Sequence, residues 1–240
     1  KNGQFFQSHL TKVTFKDDLV MEYLEFENML SKDKDGEDVL INETSWTPML
    51  NGNKISDSEY RKLVKLNFIS TFDIKDKDVN TQQTFLDKRL AQLQSDYGYY
   101  LNGLQKQFTG YLNKQGVVTK DVYDKIYARK ALFDHLVNEA FKETGKVIDN
   151  ESEKLRFIID GKTSIDADKL SSGEKQLLII LLTVLLEDGQ EYVLMMDEPE
   201  ISLHISWQYE LLNWILELNP NVQLILTTHS PSIFSDGWGE

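Results

Sequence analysis

Apolar and polar positions in this chain follow two different periods, and the switch between them marks how it is organised. Residues 10–15 (LTKVTF) and 19–26 (LVMEYLEF) are β-rich runs on either side of Lys16, Asp17 and Asp18, a pattern that predicts a hairpin. Residues 31–38 (SKDKDGED) alternate charge around a glycine and predict an exposed loop, as do residues 51–58 (NGNKISDS). Residues 63–72 (LVKLNFISTF) read as a strand. From Thr81 the period becomes helical. Leu90, Leu93, Tyr97, Leu101, Leu104, Phe108 and Tyr111 are spaced by three and four and fall on one stripe. Gly116 breaks the pattern, and Thr119 is placed to cap a second helix bearing Val122, Ile126, Leu132, Leu136 and Phe141. Two such helices with a short connection predict an antiparallel lobe packed on itself and on an α/β core. Each stripe spans too few heptads for a long coiled-coil arm.

Downstream the apolar runs become denser. Residues 155–159 (LRFII) predict a strand, followed by a turn at Asp160 and Gly161. Gly161, Lys162 and Thr163 do not make a phosphate loop. The glycine needed five positions before Gly161 is Arg156, and no helical pattern follows Thr163. A helix is predicted from about Glu174 to Leu186, with Ser171, Ser172 and Gly173 at its start. Serine there caps free backbone amides, the aligned peptide dipoles attract anions, and glycine permits close approach of a ligand, so Ser171, Ser172, Gly173 and Glu174 are candidate phosphate-binding residues. The plainer alternative is an ordinary capped helix.

Residues 193–196 (VLMM) are uninterrupted apolar sequence, suited to a strand buried on both faces of a parallel sheet. Asp197 and Glu198 sit at its C-terminal end, where ligands gather in open α/β sheets. Asp197 suits a residue holding Mg²⁺ through water, and Glu198 one that polarises an attacking water. A solvated acidic turn before Pro199 is the alternative. A helix bearing Trp207, Leu211, Trp214, Ile215 and Leu218 follows, with its stripe turned to the core and Pro220 at its end. A second apolar strand, residues 222–226, then delivers Thr227, Thr228, His229 and Ser230 to its tip. If the two strands are neighbours, His229 lies beside the acid pair, able to donate a hydrogen bond to a terminal phosphate.

Composition narrows the picture. The 240 residues carry 39 acids against 26 bases, a net charge of −13, which disfavours generic binding to a nucleic-acid backbone. Cysteine is absent, so disulfides and thiolate zinc sites are excluded, which suits a reducing cytoplasm. The longest apolar run, residues 177–186, is too short to span a bilayer, which needs ~20 residues.

Three blocks taken in order, LSSGEKQ at 170–176, VLMMDEPE at 193–200 and LILTTHS at 224–230, resemble the signature motif, Walker B segment with its D-loop, and switch histidine of the ABC-type ATPase superfamily. Membrane-transporter domains usually place Thr after DEP and Asp where this chain has His204. The version here, DEPEISLH followed by THSPSIF, is more similar to the overcoming-lysogenization-defect (OLD) ATPases and to the ATPases of retron and Septu anti-phage systems. The ISTFD of residues 69–73 is also reminiscent of that group.

The resemblance implies an α/β, P-loop NTPase-like fold: a mostly parallel sheet with an antiparallel β subdomain and a helical hairpin lobe. Residues 1–80 would hold the β subdomain and part of the core, 81–150 the lobe, and 151–240 the remaining core. It further implies ATP and Mg²⁺ as cofactors and a head-to-tail dimer of ATPase domains. In that dimer Ser172 and Gly173 would meet ATP held by the other subunit, and Ser202 and His204 would lie in the D-loop contact. It implies a partner effector such as a nuclease, with nucleic acid engaged through the complex and no membrane. No G-x-x-x-x-G-K-[S/T] occurs, so the phosphate loop is expected before Lys1, and this stretch alone is not expected to hydrolyse ATP. Gln82 and Gln83 follow ISTFD without their spacing fixing either as the Q-loop residue. A non-hydrolysing assembly module is the alternative function.

Overall fold

The computed structural model describes residues 6–10, 13–14, 20–21, 24–32, 38–43, 49–50, 53–54, 56, 66–70, 84–152 and 154–234. The chain divides into two compact units, residues 1–65 and 66–240.

The first unit is built from short antiparallel strands. β1 (Phe6–Leu10), β4 (Leu24–Lys32) and β5 (Asp38–Glu43) form a three-stranded sheet in the order β1-β4-β5. β2 (Val13–Thr14) pairs with β3 (Val20–Met21), and β6 (Met49–Leu50) with β7 (Asn53–Lys54). The expected hairpin is thus present as β2-β3, but the 19–26 run is divided. Its second half starts β4, whose Leu24 faces Leu10 of β1. The two pairs are nested: β2-β3 is the inner pair, and β1-β4 continues the same antiparallel register outside it. The pattern of residues 51–58 predicts a loop, yet Asn53 and Lys54 are strand. Ser31, Lys32 and Asp38 likewise belong to strands, while the rest of that expected loop, residues 33–37, lies outside the described residues, as do Lys16, Asp17, Asp18, Gln82 and Gln83.

The second unit holds a parallel three-stranded sheet ordered β13-β12-β8, from β8 (Leu66–Ser70), β12 (Tyr192–Asp197) and β13 (Val222–Thr227). β12 is central, which accounts for its unbroken apolar run. A small antiparallel sheet, β11-β10-β9, comes from β9 (Lys146–Ile148), β10 (Arg156–Ile159) and β11 (Thr163–Asp166). Asp160 (φ 51°) and Gly161 (φ 67°) turn the β10-β11 hairpin, so Gly161, Lys162 and Thr163 lead into a strand and not into a helix.

Among the described residues four α-helices cover this unit. α1 (Phe85–Gln115) is capped by Thr84, whose side chain accepts from the Asp87 amide while the Asp87 carboxylate accepts from the Thr84 amide. Its stripe is buried at Leu90, Leu93, Tyr97 and Leu104 but emerges by Tyr111, which is 45% exposed. α2 (Lys120–Ala140) follows a left-handed C-cap at Gly116 and is capped by Thr119. α3 (Ser172–Leu186) is buried almost all round, and α1, α2 and α4 (Ile205–Leu218) all pack on it. It begins two residues before the predicted start at about Glu174, because Ser171 caps it. Phe133, Phe141, Phe157, Leu211 and Ile215 complete the core. Arg129 of α2 fastens the outer layer: its Nη1 donates to the Leu218 carbonyl at 2.7 Å, and its Nε lies 3.5 Å from Asp188. Gly189 (φ 73°) passes beneath it so closely that a Cβ there would stand 2.1 Å from Nη2. Among the described residues no helix is long and apolar enough to cross a membrane.

Candidate functional site

The parallel register brings Asp197 level with Thr227 on one side and Ser70 on the other, so three strand tips share one edge of the sheet. The Asp197 carboxylate accepts a hydrogen bond from the Thr227 hydroxyl. The chain then turns sharply. Glu198 has φ +46°, and its amide donates to the Thr227 carbonyl at 2.9 Å. Left-handed backbone at a glutamate is uncommon and persists where surrounding bonds impose it. The turn delivers the Glu198 carboxylate to the His229 ring, Oε1 to Nε2 at 3.2 Å. Asp197, Glu198 and His229, separate in sequence, are together in space.

The signature stretch forms the start of α3. The Ser171 hydroxyl accepts from the Glu174 amide at 3.3 Å, and Glu174 Oε2 accepts from the Ser171 amide at 2.9 Å. Ser171 and Ser172 are exposed. Glu174 is not: at 2% exposure its other oxygen accepts from Lys146 and Thr144, both at 2.8 Å. Burial opposes its ionisation, but Lys146, Ser171 and Thr144 outweigh that and hold its carboxyl below the usual range. Its side chain is therefore committed inside the fold, where it fixes the helix start against β9. Lys175 does the same toward α1, reaching Asp87 of that helix's capping box at 2.7 Å.

Gly173 permits a close approach, as its sequence context suggests, but to this chain's own backbone. A Cβ at 173 would lie 2.3 Å from the Ser202 carbonyl oxygen. Ser202 is itself left-handed (φ 70°) and exposed. His204 caps α4, its Nδ1 accepting from the Ser206 amide at 3.4 Å, with its ring edge toward Trp207. The signature helix start and the 197–204 loop thus pack directly on each other, and Ser172, Ser202 and His204 remain exposed on that surface.

Sequence reasoning missed Glu200, which figures there only as a family marker. Glu200 Oε1 accepts from the Thr228 hydroxyl at 2.5 Å, the His229 amide at 2.8 Å and the Ser230 amide at 3.0 Å. Burial raises its pKa, but these bonds prevail and lower it. The only available signal was a third acid close behind Asp197 and Glu198, and nothing in the linear sequence gives its partners.

An acid pair beside an imidazole at the tips of parallel strands is an arrangement able to hold a cation and to move a proton. Residues 120–235 match the family model described as "AAA domain, putative AbiEii toxin, Type IV TA system". The chain is similar to the Retron Ec83 probable ATPase of Escherichia coli, at 35% identity over 92 residues, covering 33% of this chain and 17% of that protein. It is also similar to an uncharacterised protein of Dictyostelium discoideum, at 31% identity over 131 residues, covering 50% of this chain and 16% of that protein. The chain thus spans less than a fifth of either relative's length. Among solved structures, an SMC head bound to the C-winged helix domain of ScpA has a TM-score of 0.46 at 14% identity, covering 91% of this chain and 62% of that one. The SMC head domain from Thermotoga maritima has a TM-score of 0.41 at 13% identity, covering 93% and 64%.

Proposed function

We propose that this chain is the catalytic-edge portion of a cytoplasmic ATPase subunit of an anti-phage defence or DNA-processing complex, in which ATP closes a head-to-tail pair of ATPase domains and closure gates an effector such as a nuclease. The observation that carries the reading is the meeting of Glu198 and His229 at 3.2 Å on the edge that also holds Asp197. Likeness to a retron ATPase supports the defence setting.

In this reading Glu198 orients and polarises the attacking water, and His229 donates a hydrogen bond to the terminal phosphate. Asp197 fits Mg²⁺. It is a hard oxygen donor at a strand tip, steadied by Thr227, and Mg²⁺ is commonly held by one or two carboxylates with water and phosphate oxygens completing the shell. Bound there, the ion would neutralise phosphate charge. Ser171, Ser172 and Gly173, at the positive end of α3, offer a second anion-binding surface to a nucleotide carried by the partner subunit, with Ser202 and His204 in the contact.

The full-length protein is expected to hydrolyse ATP, and Glu198→Gln is expected to lower turnover by about two to four orders of magnitude, the scale for losing a general base. Equal turnover in both proteins would refute this role. Mixing a Ser172-mutant subunit with a phosphate-loop-mutant subunit should restore one composite site, and no recovery in the mixture would argue against sharing across subunits.

A further inference from the structure

The His229 side chain is 90% exposed, so its ring is placed by the contact with Glu198 and by the backbone beneath it, with little help from packing. That backbone is held at three consecutive residues by one oxygen of Glu200, through the Thr228 hydroxyl and the His229 and Ser230 amides. Among the described residues the second Glu200 oxygen is enclosed with no hydrogen-bond partner. This carboxylate is hard to replace, because removing it leaves the His229 N–H without its acceptor and the Ser230 N–H with the Thr228 hydroxyl alone. Gln208 braces the same loop from α4. Its Nε2 donates to the Leu203 carbonyl at 3.1 Å and the Glu200 carbonyl at 3.5 Å, while its Oε1 accepts from the Ser230 hydroxyl at 2.7 Å. The Thr228 hydroxyl also accepts from the Ser230 amide at 3.0 Å.

We infer that Glu200 is a positioning residue for the switch loop: its carboxylate, braced by Gln208, fixes the backbone of Thr228, His229 and Ser230 so that the imidazole stands over Glu198 before any nucleotide arrives. The three residues between Glu198 and Ser202 are thereby part of the site. A shift of the 197–204 loop, which also bears the surface offered to a partner, moves His229 with it. The catalytic consequence rests on the ATPase reading above, but the structural tie does not.

The test has two arms in the full-length protein. Hydrogen–deuterium exchange followed on peptides spanning residues 228–231 should be about ten- to a hundredfold faster in Glu200→Ala, the scale for losing hydrogen bonds to a charged group. Glu200→Gln keeps an acceptor oxygen in place and should retain most of the protection. In steady-state assays Glu200→Ala should lower kcat by about tenfold or more with KM changed by less than about threefold, as expected for loss of a transition-state alignment, and Glu200→Gln should recover most of the rate. Unchanged exchange in Glu200→Ala, or faster exchange with unchanged kcat, overturns the inference. An inactive wild type refutes the ATPase reading alone, and the exchange arm still decides whether Glu200 holds the loop. If Glu200→Ala does not fold, Thr228→Val removes one donor and one acceptor while leaving the carboxylate. It should lower protection and kcat in the same direction, and a Thr228→Val protein indistinguishable from wild type also overturns the inference.

Discussion

Replacing Gly173 with alanine sets two effects of opposite sign against each other. Gly173 sits in the first turn of α3, where alanine should favour the helix by up to about 1 kcal/mol. Against that, the new Cβ would stand 2.3 Å from the Ser202 carbonyl oxygen and 3.3 Å from its carbonyl carbon. Both are backbone atoms and cannot swing aside. Ser202 is already held left-handed, so relief requires moving the 197–204 loop or the helix start. Overpacking of this kind typically costs about 1–3 kcal/mol. With an approach this short the clash wins, and the expected net loss is about 2 kcal/mol, or about 4–8 °C in Tm for a protein of this size. Gly98, mid-helix in α1, supplies the control. An added Cβ there would meet nothing within 4 Å, and Gly98→Ala should stabilise by about 0.5–1 kcal/mol. Paired urea and thermal melts of the two variants measure the contrast. A Gly173→Ala protein as stable as wild type, or more so, would refute the claim that the signature helix and the 197–204 loop are in enforced contact.

Two further outcomes follow from the same packing. Glu174 has its pKa depressed in the fold, so its contribution to stability is fully present above its unfolded pKa of about 4.3 and is lost as pH falls through the lower folded value. The stability gap between wild type and Glu174→Gln, measured by urea titration across pH, should therefore be constant near neutrality and narrow below about pH 4. Arg129→Ala should destabilise by about 2 kcal/mol, mostly through the lost charged donor to the Leu218 carbonyl, since the half-exposed pairing with Asp188 contributes little. Arg129→Lys should recover only part, because one ammonium does not reproduce the guanidinium fork, and denaturant midpoints decide the matter.

How much was legible in the sequence depended on how local the cause was. The stripes of α1 and α2, the cap Thr119, and the apolar runs of β12 and β13 are local patterns, and their elements appear where the periods change. That His229 would meet Glu198 followed from one condition, adjacency of two strands, which the β12-β13 register satisfies. Strand pairing in the first unit was less legible, because short runs do not reveal which run they pair with, and residues 19–26 were shared between two sheets. The roles of Glu174, Gly173 and Glu200 were hidden for a different reason. Each is defined by a partner about thirty residues away: Lys146 for Glu174, Ser202 for Gly173 and the Thr228 hydroxyl for Glu200. A short motif specifies the residue but not what it touches.

Arg129 sits where β12 and β13 begin, and the acid pair and His229 sit where they end. Helix α2 is therefore fastened near the start of both strands, about 20 Å from their tips, the length of a six-residue strand. The anchor of the outer layer and the acid–imidazole group thus occupy opposite ends of the same two strands, so loss of the Arg129 contacts loosens the fold at the end remote from Asp197 and His229.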